Sequence, residues 1–244
     1  MKKLLSCLLV SCLLSLSPGA RAEDFTGSAS DLGSVSSKPP VASDAEVAMI
    51  YWLLAGKSPD YDAMAKASDH YKKAGDFERG QVLAAEVANL RNIHDNINFT
   101  HPTVVRMAVH LSPYSEKNKG FVITDFEEQT YFKYSFGGEN YAIVPRGLLD
   151  HQFLGPIEDV TAAYKIGGAQ RAFGNVFHLM VYLKPDYADK PDTLTEVDGQ
   201  RYHILTGQVA HVSLYDANDS QQLWGDNSDE FNKAQQDQLM NLKQ

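Results

Sequence analysis

The chain has 244 residues, 22 of them basic and 31 acidic, for a formal net charge of −9. Beyond residue 22 the longest basic run is the pair Lys72-Lys73, which excludes the basic footprint of a nucleic-acid or anionic-membrane binder. Both cysteines, Cys7 and Cys12, fall within the first 22 residues, and past them no thiolate metal ligand, cysteine nucleophile or disulfide is available.

Residues 1–22 read as a signal peptide. Lys2 and Lys3 form a positive start, and Leu4 to Ser17 is an apolar run too short to span a bilayer. Ala20-Arg21-Ala22 supplies the small residues of a cleavage site before Glu23. Cleavage there removes three basic residues and leaves net charge −12 over residues 23–244. Leu9-Val10-Ser11-Cys12 also reads as a lipobox, which would anchor the chain by a lipid on Cys12. No other apolar stretch reaches about 18 residues, so no transmembrane helix is expected. A cysteine-free exported chain of this size points to a bacterial periplasmic or extracellular protein.

Residues 23–42, rich in Ser, Gly and Pro, bury too little apolar surface to offset ordering and read as a flexible tether. A helical region is expected over 43–100. Ser43 and Glu46 form a capping box before Val47 to Leu54, with Gly56 as the stop. Ser58-Pro59 starts a second helix running to Ala74, and Asp76 caps a third through Leu90. His70 to Arg79 resembles the turn of a tetratricopeptide repeat over about a third of one repeat. No second copy recurs at the period of about 34 residues, and a capped helical hairpin accounts for the same residues.

Past Pro102 the apolar period changes from helical to two, and residues 101–244 read as a mainly antiparallel β-rich domain. Strands are expected at Val104 to Leu111, Phe121 to Phe126, Gln129 to Phe136, Tyr141 to Val144, Val176 to Leu183, Leu194 to Val197, Arg201 to Leu205, Gln208 to Tyr215 and Gln221 to Trp224. Gly137-Gly138 and Asp198-Gly199 are hairpin turns. A helix inserted at Ile157 to Tyr164 is expected to end at Gly167-Gly168, and Ser228 begins a C-terminal helix. The fold class is α+β.

No Gly-x-Gly-x-x-Gly, Walker loop, Gly-x-Ser-x-Gly or His-Glu-x-x-His motif occurs. His178, His203 and His211 fall in strands, and imidazoles converging from neighbouring strands are a candidate zinc site if the register aligns them. Asp125-Glu127-Glu128 and Glu158-Asp159 are candidate acid/base pairs, although helix capping accounts for the second. The acidic loops Asp216 to Asp219 and Asp226 to Glu230 carry oxygen ligands suited to calcium, or simply to turns. Tyr131 alternates with Phe132, Tyr134 and Phe136, which places it on the opposite face as the candidate ligand-binding aromatic. These features favour a non-enzymatic envelope protein that binds a partner or ligand through its β domain. The rival is an envelope-polymer hydrolase built on the histidines and carboxylates. A third reading uses the helices of residues 44–95 as an adaptor surface.

Overall fold

A computed structural model describes residues 39–226. The expected signal peptide, most of the tether and the C-terminal helix lie outside these residues. Helices and one large mixed sheet, mostly antiparallel, make an α+β fold. No helix among the described residues is long and apolar enough to cross a membrane.

Helix α1 (Asp44–Leu54) begins at the capping box: Glu46 N–H donates to Ser43 Oγ at 3.3 Å, and Ser43 N–H donates to Glu46 Oε2 at 2.7 Å. Five consecutive residues, Val47 to Tyr51, are buried. A helix apolar all round has to be enclosed, and α1 lies against the sheet on one side and α4 (Arg79–Asn96) on the other. The second expected helix is two. It breaks at Ser68 into α2 (Tyr61–Ala67) and α3 (Asp69–Lys73), because Ser68 takes an extended backbone and its hydroxyl accepts from Tyr71 N–H at 3.1 Å. Asp76 does not cap α4; it pairs with Arg79 at 3.0 Å.

Strands β1 (Thr103–Val109), β6 (Phe177–Ala188), β8 (Gln200–Tyr215), β4 (Glu139–Arg146) and β3 (Phe132–Phe136) lie side by side in that order. β7 (Thr195–Val197) and β9 (Gln222–Gly225) add to β8, while β2 (Phe121–Val122) and β5 (Phe153–Leu154) pair separately. Both expected two-residue hairpin turns form, with positive φ at Gly137, Gly138, Asp198 and Gly199 as a type I′ turn demands.

The sheet is mainly antiparallel, with one parallel pair: β4 runs in the same direction as β8, with Tyr141 opposite His203 and Arg146 opposite Gln208. Two expectations need correction. The stretches Arg201 to Leu205 and Gln208 to Tyr215 are not two strands but the single strand β8. Gly207 resembles a turn residue, yet it serves close approach, since a Cβ there would sit 3.2 Å from the Lys184 carbonyl oxygen. Helix α5 (Val160–Ala172) does not stop at Gly167-Gly168 but runs through them, started by Asp159, which accepts from Thr161 N–H at 2.8 Å.

β8 carries one extra residue, Ala210, between the pairs Leu183–Val209 and Tyr182–His211. A bulge of this kind exchanges the faces of everything beyond it. Leu205 and Val209 before it, and Val212 and Leu214 after it, therefore all join the core under α1. The other face carries a smaller cluster of Val104, Met180, Tyr182 and Tyr215.

Candidate functional site

The sequence-predicted histidines are not brought together. His203 and His211 share one strand, which separates them by about 26 Å at the rise of a strand, and the Ala210 bulge turns them to opposite faces. His178 lies opposite Tyr215, about 13 Å along the sheet from the level of His211. Each ring has its own neighbour: His178 Nδ1 meets Asp219 at 2.6 Å, His203 Nε2 lies 3.5 Å from Glu139, and His211 Nε2 meets Ser213 Oγ at 3.0 Å. Burial holds the His211 pKa down to about 4. Among the described residues no group of three His, Cys, Asp or Glu side chains is arranged to hold a metal ion.

Asp125 and the loop aspartates have structural partners as well. Asp125 accepts from the backbone N–H of His110 and meets its ring at 2.8 Å. In the first acidic loop, Asp216 accepts from Ser220 N–H at 2.7 Å and from Gln221 N–H at 3.3 Å. Burial acts to raise its carboxyl, but the hydrogen bonds outweigh burial and hold it below the usual range. Asp219 binds Arg106 at 2.8 Å as well as His178. Of the second acidic loop only Asp226 is described, and it pairs with His151 at 2.8 Å.

Tyr131 is placed differently. Phe132, Tyr134 and Phe136 turn inward to the core, and period-two alternation sends Tyr131 and Lys133 outward. The Tyr131 hydroxyl and Lys133 Nζ both donate to Asp198 Oδ2 in the β7–β8 turn, the second at 2.8 Å. Lys133 Nζ also stands 5.1 Å from the Tyr131 ring centroid and 6.0 Å from that of Tyr202, within cation–π reach of both. The hydrogen bond to Asp198 raises the pKa of Tyr131 and of Lys133, while Lys133, and then Tyr131, hold Asp198 below its usual value. At neutral pH the exposed ion pair of Lys133 and Asp198 thus flanks the Tyr131 ring.

That ring borders two grooves. One, of about 390 Å³, runs past Glu128, Gln129, Val144, Glu196 and Asp198. The other, of about 500 Å³, is walled by Arg106 of β1 on one side and by Tyr131 to Tyr134 on the other, with Val41, Ala42 and Asp44 at one end. β1 and β3 are the two ends of the strand order, so a groove lined by both means that the sheet curls until its ends face each other. Sequence alternation finds Tyr131 and Lys133, but nothing local brings Arg106 to them.

The sequence also gives no sign of the aromatic box around His203. Tyr51, Tyr141 and Trp52 place their ring centroids 4.7, 5.4 and 6.0 Å from the imidazole. Trp52 Nε1–H donates to the Tyr141 hydroxyl at 3.2 Å, which donates to Glu139 Oε2 at 2.8 Å. Burial pushes both the Tyr51 and Tyr141 hydroxyls upward. His203 is 5 % exposed, so the box is a locked joint between α1 and the sheet rather than an opening for a ligand.

No protein family model, curated protein or solved structure matches the chain.

Proposed function

We propose that this is an exported bacterial cell-envelope protein that binds an envelope partner or ligand over Tyr131, without catalysing a reaction. Export rests on the arrangement of residues 1–22: a basic start, a short apolar run and the Ala20-Arg21-Ala22 motif. The observation that carries the binding reading is that a single half-exposed aromatic ring borders two grooves while Asp198 and Lys133 hold it in place. A rigid aromatic flanked by fixed polar groups is the usual anchor of a recognition surface, because little side-chain entropy is lost on binding.

The test has two arms. N-terminal sequencing of the exported protein is expected to begin at Glu23, and a lipid-modified Cys12 overturns a freely diffusing form. Co-sedimentation with isolated envelope fractions is expected to be lost in Tyr131→Ala while its melting temperature stays within about 1 °C of the parent, as surface changes usually do. Equal retention of parent and variant removes Tyr131 from the site.

A further inference from the structure

The smaller of the two grooves beside Tyr131 is walled by carboxylates. Glu128 comes from the loop before β3, Glu196 from β7 and Asp198 from the β7–β8 turn, and among the described residues no lysine, arginine or histidine lines it. Asp198 has partners, since its Oδ2 accepts from Lys133 Nζ at 2.8 Å and from the Tyr131 hydroxyl. The side chains of Glu128 and Glu196 make no ion pair or hydrogen bond among the described residues. Arg201 stands opposite Glu196 in the β7–β8 ladder but does not line the groove. Counted together with Lys133 and Arg201, the three carboxylates still outnumber the cations, in a chain of net charge −9. At about 0.15 M salt, charges beyond about 8 Å are screened, so this local count governs what the groove attracts.

The ring adds a second preference for the same charge. Lys133 Nζ stands over Tyr131 at 5.1 Å from the ring centroid but lines only the groove between β1 and β3. The carboxylate groove therefore brings no cation of its own to the ring. An aromatic face is electron-rich and attracts a cation. A flat guanidinium stacks on such a face while its five N–H donors reach acceptors in several directions. An ammonium is a point charge with three donors and holds its water more tightly. Carboxylates from three separate segments around one ring match the guanidinium fork. Val144 and Val197 line the same groove and offer apolar surface to a methylene stem.

We propose that this groove takes an arginine side chain of a partner protein, with the guanidinium over Tyr131 and hydrogen-bonded to Glu128 and Glu196. This rests on the Tyr131 reading and names the partner's chemistry for it. The acidic balance of the whole chain draws such a partner in at low salt.

The probe is a capped tripeptide, acetyl-Gly-Arg-Gly-amide, titrated at low salt into the isotope-labelled protein as exported. NMR follows the amides of Tyr131, Val197 and Asp198, which are expected to shift with peptide concentration. Citrulline in place of arginine keeps the shape and removes the charge, and is expected to weaken binding by about tenfold or more as charge-assisted hydrogen bonds are lost. Lysine in place of arginine is expected to bind several-fold more weakly. Glu128→Gln and Glu196→Gln are each expected to weaken binding about two- to fivefold, the range of exposed ion pairs, and Tyr131→Leu by a similar factor through the lost cation–π contact. No shift at these amides, equal binding of the citrulline peptide, or unchanged binding in both Gln variants overturns the inference. Equal binding of the lysine peptide overturns the choice of a guanidinium. In the envelope co-sedimentation assay, the Glu128→Gln/Glu196→Gln double variant is expected to be released as Tyr131→Ala is. Release of Tyr131→Ala with full retention of the double variant overturns arginine recognition and leaves the Tyr131 site standing.

Discussion

Replacing His211 provides a quantitative test of the sheet's outer face. The imidazole is 3 % exposed, its Nε2 meets Ser213 Oγ at 3.0 Å, and the Tyr182 ring stands 5.2 Å away. β9 closes over it, so that a Cβ at Gly225 would lie 3.7 Å from His211 Cε1. Burial lowers its pKa to about 4; Asp226 opposes the shift and His151 adds to it. A histidine whose folded pKa is depressed leaves the unfolded chain with more bound protons between the two values. Its contribution to stability is therefore complete above the unfolded pKa of about 6.5 and is lost as pH falls toward 4. Integrating between those values, the native state loses about 2 kcal/mol from pH 7 to pH 5 through this residue alone. For a domain of this size that is about 5 °C in Tm. His211→Asn keeps a polar partner for Ser213 but does not titrate. Urea unfolding of parent and variant at pH 8, 7, 6 and 5 is expected to show stability differences that shift by about that amount in the variant's favour toward pH 5. Curves that stay parallel over the whole range refute the assigned burial of His211.

Three further outcomes follow from the fold. Gly167→Ala and Gly168→Ala, inside α5 with open space where each Cβ would point, are each expected to raise stability by about 1 kcal/mol in chemical denaturation. Ser43→Ala removes one half of the capping box of α1 and is expected to cost about 1 kcal/mol, read as a lower unfolding midpoint at unchanged m-value. Gly137→Val combines φ of 64° with a Cβ only 2.6 Å from Met64 Cγ; thermal unfolding is expected to show a loss of more than about 2 kcal/mol, and an unchanged Tm would contradict the hairpin docking on α2.

Local chemistry was legible where it was self-contained. The Ser43 and Glu46 pair, the Gly137-Gly138 and Asp198-Gly199 turns and the alternation of Tyr131 against its phenylalanine neighbours each depend on a few adjacent residues. Long-range register was not. His203 and His211 sit eight positions apart, which ordinary alternation places on one face; the single extra residue Ala210 reverses this, and neither Ala210 nor its immediate neighbours Val209 and His211 is a glycine or proline to announce a bulge. Gly207 and Gly167-Gly168 misled in the opposite direction. Glycine signals a turn only when positive φ is needed, whereas Gly207 serves a close backbone approach and the other two sit in ordinary helix. The groove between β1 and β3 was invisible for a further reason, since Arg106 and Lys133 come to line it together only because the sheet curls.

The parallel pairing of β4 with β8 also governs when the chain is able to fold. Tyr141 waits for His203, some 60 residues later, and α1, the first helix, rests on strands that end at Tyr215. The enclosing core is thus assembled from distant partners, a topology whose loop-closure cost delays the folding transition. The emerging N-terminal half holds an apolar helix whose sheet-facing side has nothing yet to cover it. Only when β8 is laid down between β6 and β4 do the two halves of the sheet join, so one strand near the end of the chain decides whether everything before it becomes a protein.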